Sequence, residues 1–214
     1  MKIGVLGTGE VGRVLGGAFV ALGHEVKMGS REARNEKAVA WAKGLGPKAS
    51  VGTFADAASF GELIVLATQG VANDAALRSA GAEKLRGKVV IDATNPLDSS
   101  KGFPPGLAVA GTDSGGEQVQ RLLPGAEVVK AFNTMGSAHM FRPTFPGGPP
   151  DMFICGNSDG AKKKVAGILE QFGWGVIDVG GIQASRYLEA MCMVWVLYGA
   201  RTDTWNHAFK LLRK

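Results

Sequence analysis

Short apolar runs recur along this chain, and the segments between them are apolar on one side only. The first run, Ile3-Gly4-Val5-Leu6, leads into a helical pattern through Val14-Leu15-Gly16-Gly17-Ala18-Phe19-Val20-Ala21-Leu22. A second strand is predicted at His24–Gly29, which is short, apolar at alternate positions and preceded by Gly23. Further strands are expected at Ser50–Gly52, Leu63–Ala67, Val89–Asp92, Glu127–Phe132, Met152–Cys155 and Val176–Val179. Helical stretches fall between them at about residues 35–46, 54–60, 71–83, 115–123, 158–172 and 184–199. Near-continuous apolar strands alternating with helices predict a parallel sheet covered on both faces. The segment 142–150, Arg-Pro-Thr-Phe-Pro-Gly-Gly-Pro-Pro, cannot be regular structure. The amphipathic, basic tail from Arg201 to Lys214 is expected to form a short helix closing the domain.

Between the first strand and the first helix stands Gly7-Thr8-Gly9-Glu10-Val11-Gly12. In that context each glycine has a reason. Gly7 permits a tight turn, Gly9 lets a pyrophosphate approach the backbone, and Gly12 lets helix and strand pack closely. The helix terminus adds free N–H groups and a positive dipole end. The spacing predicts a dinucleotide site and an α/β, doubly wound Rossmann fold. The sheet is expected to be mostly parallel, with a small carboxy-terminal helical extension from about residue 180 of a single 1–214 domain.

The second strand selects the dinucleotide. An NAD site carries an acid about 20 residues past the glycines, for the ribose 2′-hydroxyl. This chain instead reads Gly29-Ser30-Arg31-Glu32-Ala33-Arg34. A hydroxyl and two guanidiniums suit a 2′-phosphate, so Ser30, Arg31 and Arg34 are expected to select NADP(H). Ligands lie beyond the carboxyl ends of parallel strands. Ala67-Thr68-Gln69, the Asn95-Pro96 pair and Ala131 with Asn133 therefore become candidates for the nicotinamide end.

Composition narrows the field. The 214 residues are 45% hydrophobic and 20% charged, ordinary for one globular core. The formal charge of +5 suggests affinity for anions, but the basic residues are scattered without aromatic interleaving, so no nucleic-acid partner is expected. The run Lys162-Lys163-Lys164 reads as a solvated helix face. Cys155 and Cys192 form no CxxC pair and no metal spacing, and both are expected to be buried and reduced. A strand beginning at residue 2 leaves no room for a signal peptide, and no apolar run spans a bilayer. A cytoplasmic protein with no membrane partner is expected.

The combined motifs extend well beyond the glycines. The GTGxxG turn, Gly29-Ser30-Arg31, Asp92 to Pro96, Val128 to Asn133 and Ile154-Cys155-Gly156-Asn157 resemble the NADPH-dependent coenzyme F420 reductases. Asp178-Val179-Gly180-Gly181 with Ser185-Arg186-Tyr187-Leu188-Glu189 also fits. The cytosolic oxidoreductase domain of the six-transmembrane prostate-antigen metalloreductases is similar too. The resemblance covers residues 1–199 and implies hydride transfer between NADP(H) and a deazaflavin, with no proton moved by the protein and no catalytic acid or base. It also implies a homodimer through the apolar helix 184–198, with Trp195 and Tyr198 as anchors. Asn133 departs from the His that the resemblance implies for the archaeal-type reductases, and matches the metalloreductase domain. The second-substrate side, including Gly136 to Phe141 and loop 142–150, therefore stays open to coenzyme F420, a flavin, a quinone, a ferric chelate or a small carbonyl compound. His139 reads as structural or surface. The chain after the last strand is too short for the helical second domain of a β-hydroxyacid dehydrogenase. An NADP(H)-binding redox sensor without turnover remains the second reading.

Overall fold

A computed structural model describes all residues, 1–214. Ten strands and seven helices alternate along the chain. The first half holds β1 (Lys2–Leu6), α1 (Glu10–Ala21), β2 (Glu25–Ser30), α2 (Glu36–Leu45), β3 (Ala49–Thr53), α3 (Phe54–Phe60), β4 (Leu63–Leu66), α4 (Asn73–Ala80) and β5 (Val89–Asp92). The second half holds β6 (Leu97–Asp98), β7 (Gly106–Leu107), α5 (Gly115–Leu122), β8 (Glu127–Lys130), β9 (Asp151–Gly156), α6 (Asp159–Gln171), β10 (Gly175–Asp178) and α7 (Ser185–Thr202).

Eight strands form one sheet in the order β10-β9-β8-β5-β4-β1-β2-β3. The six strands from β8 to β3 are parallel. β9 runs antiparallel to β8, and β10 follows β9 in parallel. This is the doubly wound α/β fold of the Rossmann type. Its strand order reverses at β1, which lies between β2 and β4.

The alternation within each strand explains why both faces are covered. Ile3, Val5, Leu63, Val65, Val89, Ile91 and Val129 pack with α1, α2 and α6 on one face. Leu6, Ile64, Leu66, Val90 and Val128 pack with α3, α4 and α5 on the other. At the usual 1.5–3 kcal/mol for a fully buried aliphatic side chain, these two layers dominate the favourable side of folding. Helix starts are fixed locally, because Asn35, Thr53, Ser114 and Ser158 each accept from a first-turn N–H of α2, α3, α5 and α6.

Four sequence expectations need correction, and one small element was not anticipated. The 71–83 helix is shorter, Asn73–Ala80, because a single 3-10 turn precedes it and Gly81 takes a positive φ of 83° that ends it. The two-residue strands β6 and β7 pair as a small hairpin that has no apolar run to announce it. Lys162 is not solvated: it is buried and pairs with Asp178 at 2.8 Å and Asp159 at 3.1 Å. The tail is not a helix, since α7 stops at Thr202 with Asp203 in the left-handed region and irregular chain follows. Trp195 is not free to anchor an interface, because that tail folds back over it. Its ring stacks on His207 at 4.7 Å and packs on Trp205 at 5.3 Å, leaving it 8% exposed. Gly199 makes room for the Trp205 ring, which a Cβ there would enter at 2.5 Å. No helix is long and apolar enough to cross a membrane.

Candidate functional site

The carboxyl ends of β1, β2, β4, β5 and β8 lie along one edge of the sheet. At β1 the glycine turn is built as its spacing requires. Gly7 has φ 127° and donates from its N–H to Gly29 O at 3.0 Å. A Cβ on Gly12 would collide with the Gly7 carbonyl oxygen, whereas one on Gly9 would meet nothing within 4 Å. The chain passes Gly9 in extended form into α1, which has no side-chain cap. Its first-turn N–H groups therefore face open space beside an exposed Gly9, a cradle fit for a pyrophosphate. Thr8 and Val11 flank this opening half-buried, and the Glu10 side chain is exposed.

At the end of β2 the buried Ser30 donates its hydroxyl proton to the Glu32 carbonyl oxygen. That turn leaves Arg31 and Arg34 exposed, and neither forms an ion pair. Two free guanidiniums one short segment from the glycine cradle are chemically suited to a phosphate dianion.

The other candidates meet at the ends of β4, β5 and β8. Asn95 Nδ2 donates to Asn133 O at 2.8 Å, and Asn133 Nδ2 donates to Asn95 Oδ1 at 3.0 Å and to Leu188 O of α7 at 2.9 Å. Phe132, with φ 64°, makes the left-handed turn that sends Asn133 beneath α7. Such a conformation costs a non-glycine residue about 1–3 kcal/mol and is typical of sites. Asn133 is 2% exposed, yet its Oδ1 has no partner. Thr68 is half-buried and donates to Asn73 Oδ1 at 2.5 Å; Gln69 is exposed, and Ala67, Pro96 and Ala131 are buried beside them. His139 stands apart, 3.0 Å from Asn206 Oδ1 and tilted against Phe145.

Sequence reasoning missed what lies behind this edge. Lys130 is fully buried and touches Asp92 Oδ2 at 2.8 Å, Glu189 Oε1 at 3.0 Å and the Thr94 carbonyl at 2.8 Å. Burial pulls the Lys130 pKa down, but the Asp92 and Glu189 carboxylates more than offset this and hold it above the usual lysine value. The available signal was a charge inside an otherwise apolar strand run, Val128-Val129-Lys130-Ala131-Phe132. Burial also pushes the Cys155 and Cys192 thiols up to about 11, consistent with inert core residues.

These features define the class: a Rossmann-type α/β protein with a glycine-rich turn between its first strand and first helix. A family model described as NADP oxidoreductase, coenzyme F420-dependent, matches residues 2–96. The F420-dependent NADP reductase of Methanothermobacter marburgensis is 35% identical over 204 residues, covering 88% of each chain. Metalloreductase STEAP3 of Rattus norvegicus is 30% identical over 190 residues, or 89% of this chain but 36% of that longer protein. A solved structure from Arthrobacter sp. FB24, named as a candidate F420-dependent NADP reductase, superposes with TM-score 0.94 at 44% identity over 100% of both chains. The chain belongs to the F420-dependent NADP reductase family and is an NADP-dependent oxidoreductase.

Proposed function

We propose that this protein transfers a hydride between NADP(H) and coenzyme F420, with residues 1–214 acting as one unit extended from about residue 180. The observation that carries the reading is the uncapped start of α1 behind the open Gly9, with the unpaired Arg31 and Arg34 nearby. The backbone of Gly7, Thr8, Gly9, Glu10, Val11 and Gly12 cradles the pyrophosphate. Arg31 and Arg34 hold the 2′-phosphate, and Ser30 shapes their turn.

Ala67, Thr68, Gln69, Asn95, Pro96, Ala131 and Asn133 border the nicotinamide. When bound, the nicotinamide supplies the hydride chemistry itself. The side chains then bind, orient and exclude water.

The names of the relatives support coenzyme F420 as the second substrate. We further infer a homodimer through the exposed face of α7. Tyr187, Val194, Leu197 and Tyr198 lie there at helical spacing, with Tyr187 76% exposed. Two free buried cysteines support a reducing, cytoplasmic setting.

The test is NADPH oxidation by purified protein, followed through the loss of nicotinamide absorbance. Coenzyme F420, FMN, a quinone and a ferric chelate are the acceptors, with NADH run in parallel. Turnover with F420 and a preference for NADPH is expected. Turnover with flavin or iron alone would move the reading to the metalloreductase-like branch, and tight NADPH binding without turnover would leave a sensor.

A further inference from the structure

The buried Lys130 ammonium makes three polar contacts, one hydrogen bond and two ion pairs, each with a different element of the candidate site. One meets Asp92 at the end of β5, one the Thr94 carbonyl in the turn that follows, and one Glu189 on α7. From there a buried relay runs outward. Asp92 Oδ1 accepts from the Thr94 N–H at 3.0 Å and from its hydroxyl at 2.6 Å. Asn73 Nδ2 donates to Thr94 Oγ1 at 2.8 Å, and Thr68 donates to Asn73. Glu189 accepts the Gly115 and Gly116 N–H groups at 2.9 Å each, fixing the start of α5. A Cβ on Gly116 would come within 2.8 Å of Lys130 Cε, so glycine there lets α5 close on the cluster.

A buried ion pair is weak support for stability, because well-packed apolar groups of the same volume often serve as well. What this cluster does specify is geometry. The turn carrying Asn95 hangs on Lys130 directly, Thr68 hangs on it through Asp92, Thr94 and Asn73, and α7 holds both Glu189 and the Leu188 carbonyl that anchors Asn133.

We propose that Lys130 is a positioning residue for the nicotinamide end of the cleft, setting Thr68, Asn95 and Asn133 against the reacting ring without touching it. This rests on the cofactor reading given above. The phosphate contacts lie at β1 and β2, away from the cluster, so Lys130 governs how the ring is held more than how tightly the dinucleotide binds.

The experiment compares wild type, Lys130→Met and Asp92→Asn by calorimetric titration with NADPH, by the fluorescence lifetime of the bound nicotinamide, and by single-turnover hydride transfer to F420. Expected are NADPH dissociation constants within about threefold of wild type. The bound lifetime should fall toward that of free NADPH, and hydride transfer should slow by about tenfold to a hundredfold, as a small misplacement does. Variants that lose thermal stability but keep the wild-type lifetime and single-turnover rate would overturn the proposal. If Lys130→Met does not fold, the isosteric Asp92→Asn decides on the same readouts. A wild-type protein that fails to bind NADPH would overturn the cofactor reading itself, a result distinct from unchanged variants of a protein that binds it.

Discussion

Asn95 and Asn133, 38 residues apart, grip each other by their amides: one donates to the other's backbone carbonyl at 2.8 Å, the other to its partner's side chain at 3.0 Å. The pair locks together the turns after β5 and β8. It also turns the remaining Asn133 oxygen into an unsatisfied buried acceptor. The predictions below probe the other parts of the same cleft and the surfaces that frame it.

The second and third glycines of the fingerprint should separate binding from folding. Gly12→Ala forces a Cβ into the Gly7 carbonyl and should cost about 1–3 kcal/mol of stability, as overpacking does. Gly9→Ala meets open space, so its melting temperature should match wild type while NADPH affinity falls. Thermal melts together with calorimetric titration check both. A destabilised Gly9→Ala protein would contradict the geometry.

Arg31→Ala should weaken NADPH binding by about 1–3 kcal/mol, the loss expected for a charge-assisted contact, and leave NADH nearly unchanged. Equal weakening of both cofactors in parallel titrations would mean that Arg31 does not read the 2′-phosphate.

Acid should loosen the α5 region. The Arg121 guanidinium, bonded to both Asp113 oxygens at 3.0 and 2.7 Å, lowers that carboxyl from 3.8 to about 2. Arg186 likewise lowers Glu117. A depressed carboxylate stabilises the fold above its unfolded value and loses that stabilisation as pH falls through its folded value. The Asp113 share is therefore intact above about pH 4 and gone below about pH 2. Solvent screening keeps it at or under about 1 kcal/mol. Denaturant melts across that range should show Asp113→Asn losing less stability with acid than wild type.

The two sides of α7 should behave differently. Trp195→Ala opens a hole beneath the tail and should cost about 3–5 kcal/mol without altering the assembly state. The double change Val194→Glu with Leu197→Glu alters exposed positions and should yield a stable monomer in sedimentation analysis. A dimer that survives the double change would place the interface elsewhere.

The amino-acid sequence by itself determined the local signals. Apolar runs of strand length and helical periodicity located eight strands of the main sheet. Gly7 and Gly12 marked the turn from β1 into α1, because a positive φ and a close approach are demands a single residue can meet. The absence of an acid after β2, with Arg31 and Arg34 in its place, is likewise a local signal, and the structure leaves both side chains exposed. The tertiary structure alone decided what depends on residues far apart in the chain. An apolar run does not encode its direction, so the reversal of β9 against β8 appears only in the pairing of Val129 with Gly156 and Lys130 with Cys155. The tail carries helical periodicity, yet it spends its aromatic residues on Trp195 rather than on itself. Lys130 meets Glu189 across 59 positions (189 − 130), and a lysine within a strand carries no mark of the carboxylate that folding will bring to it. Charge complementarity of that kind acts through space, and only the packed chain brings the two groups within reach.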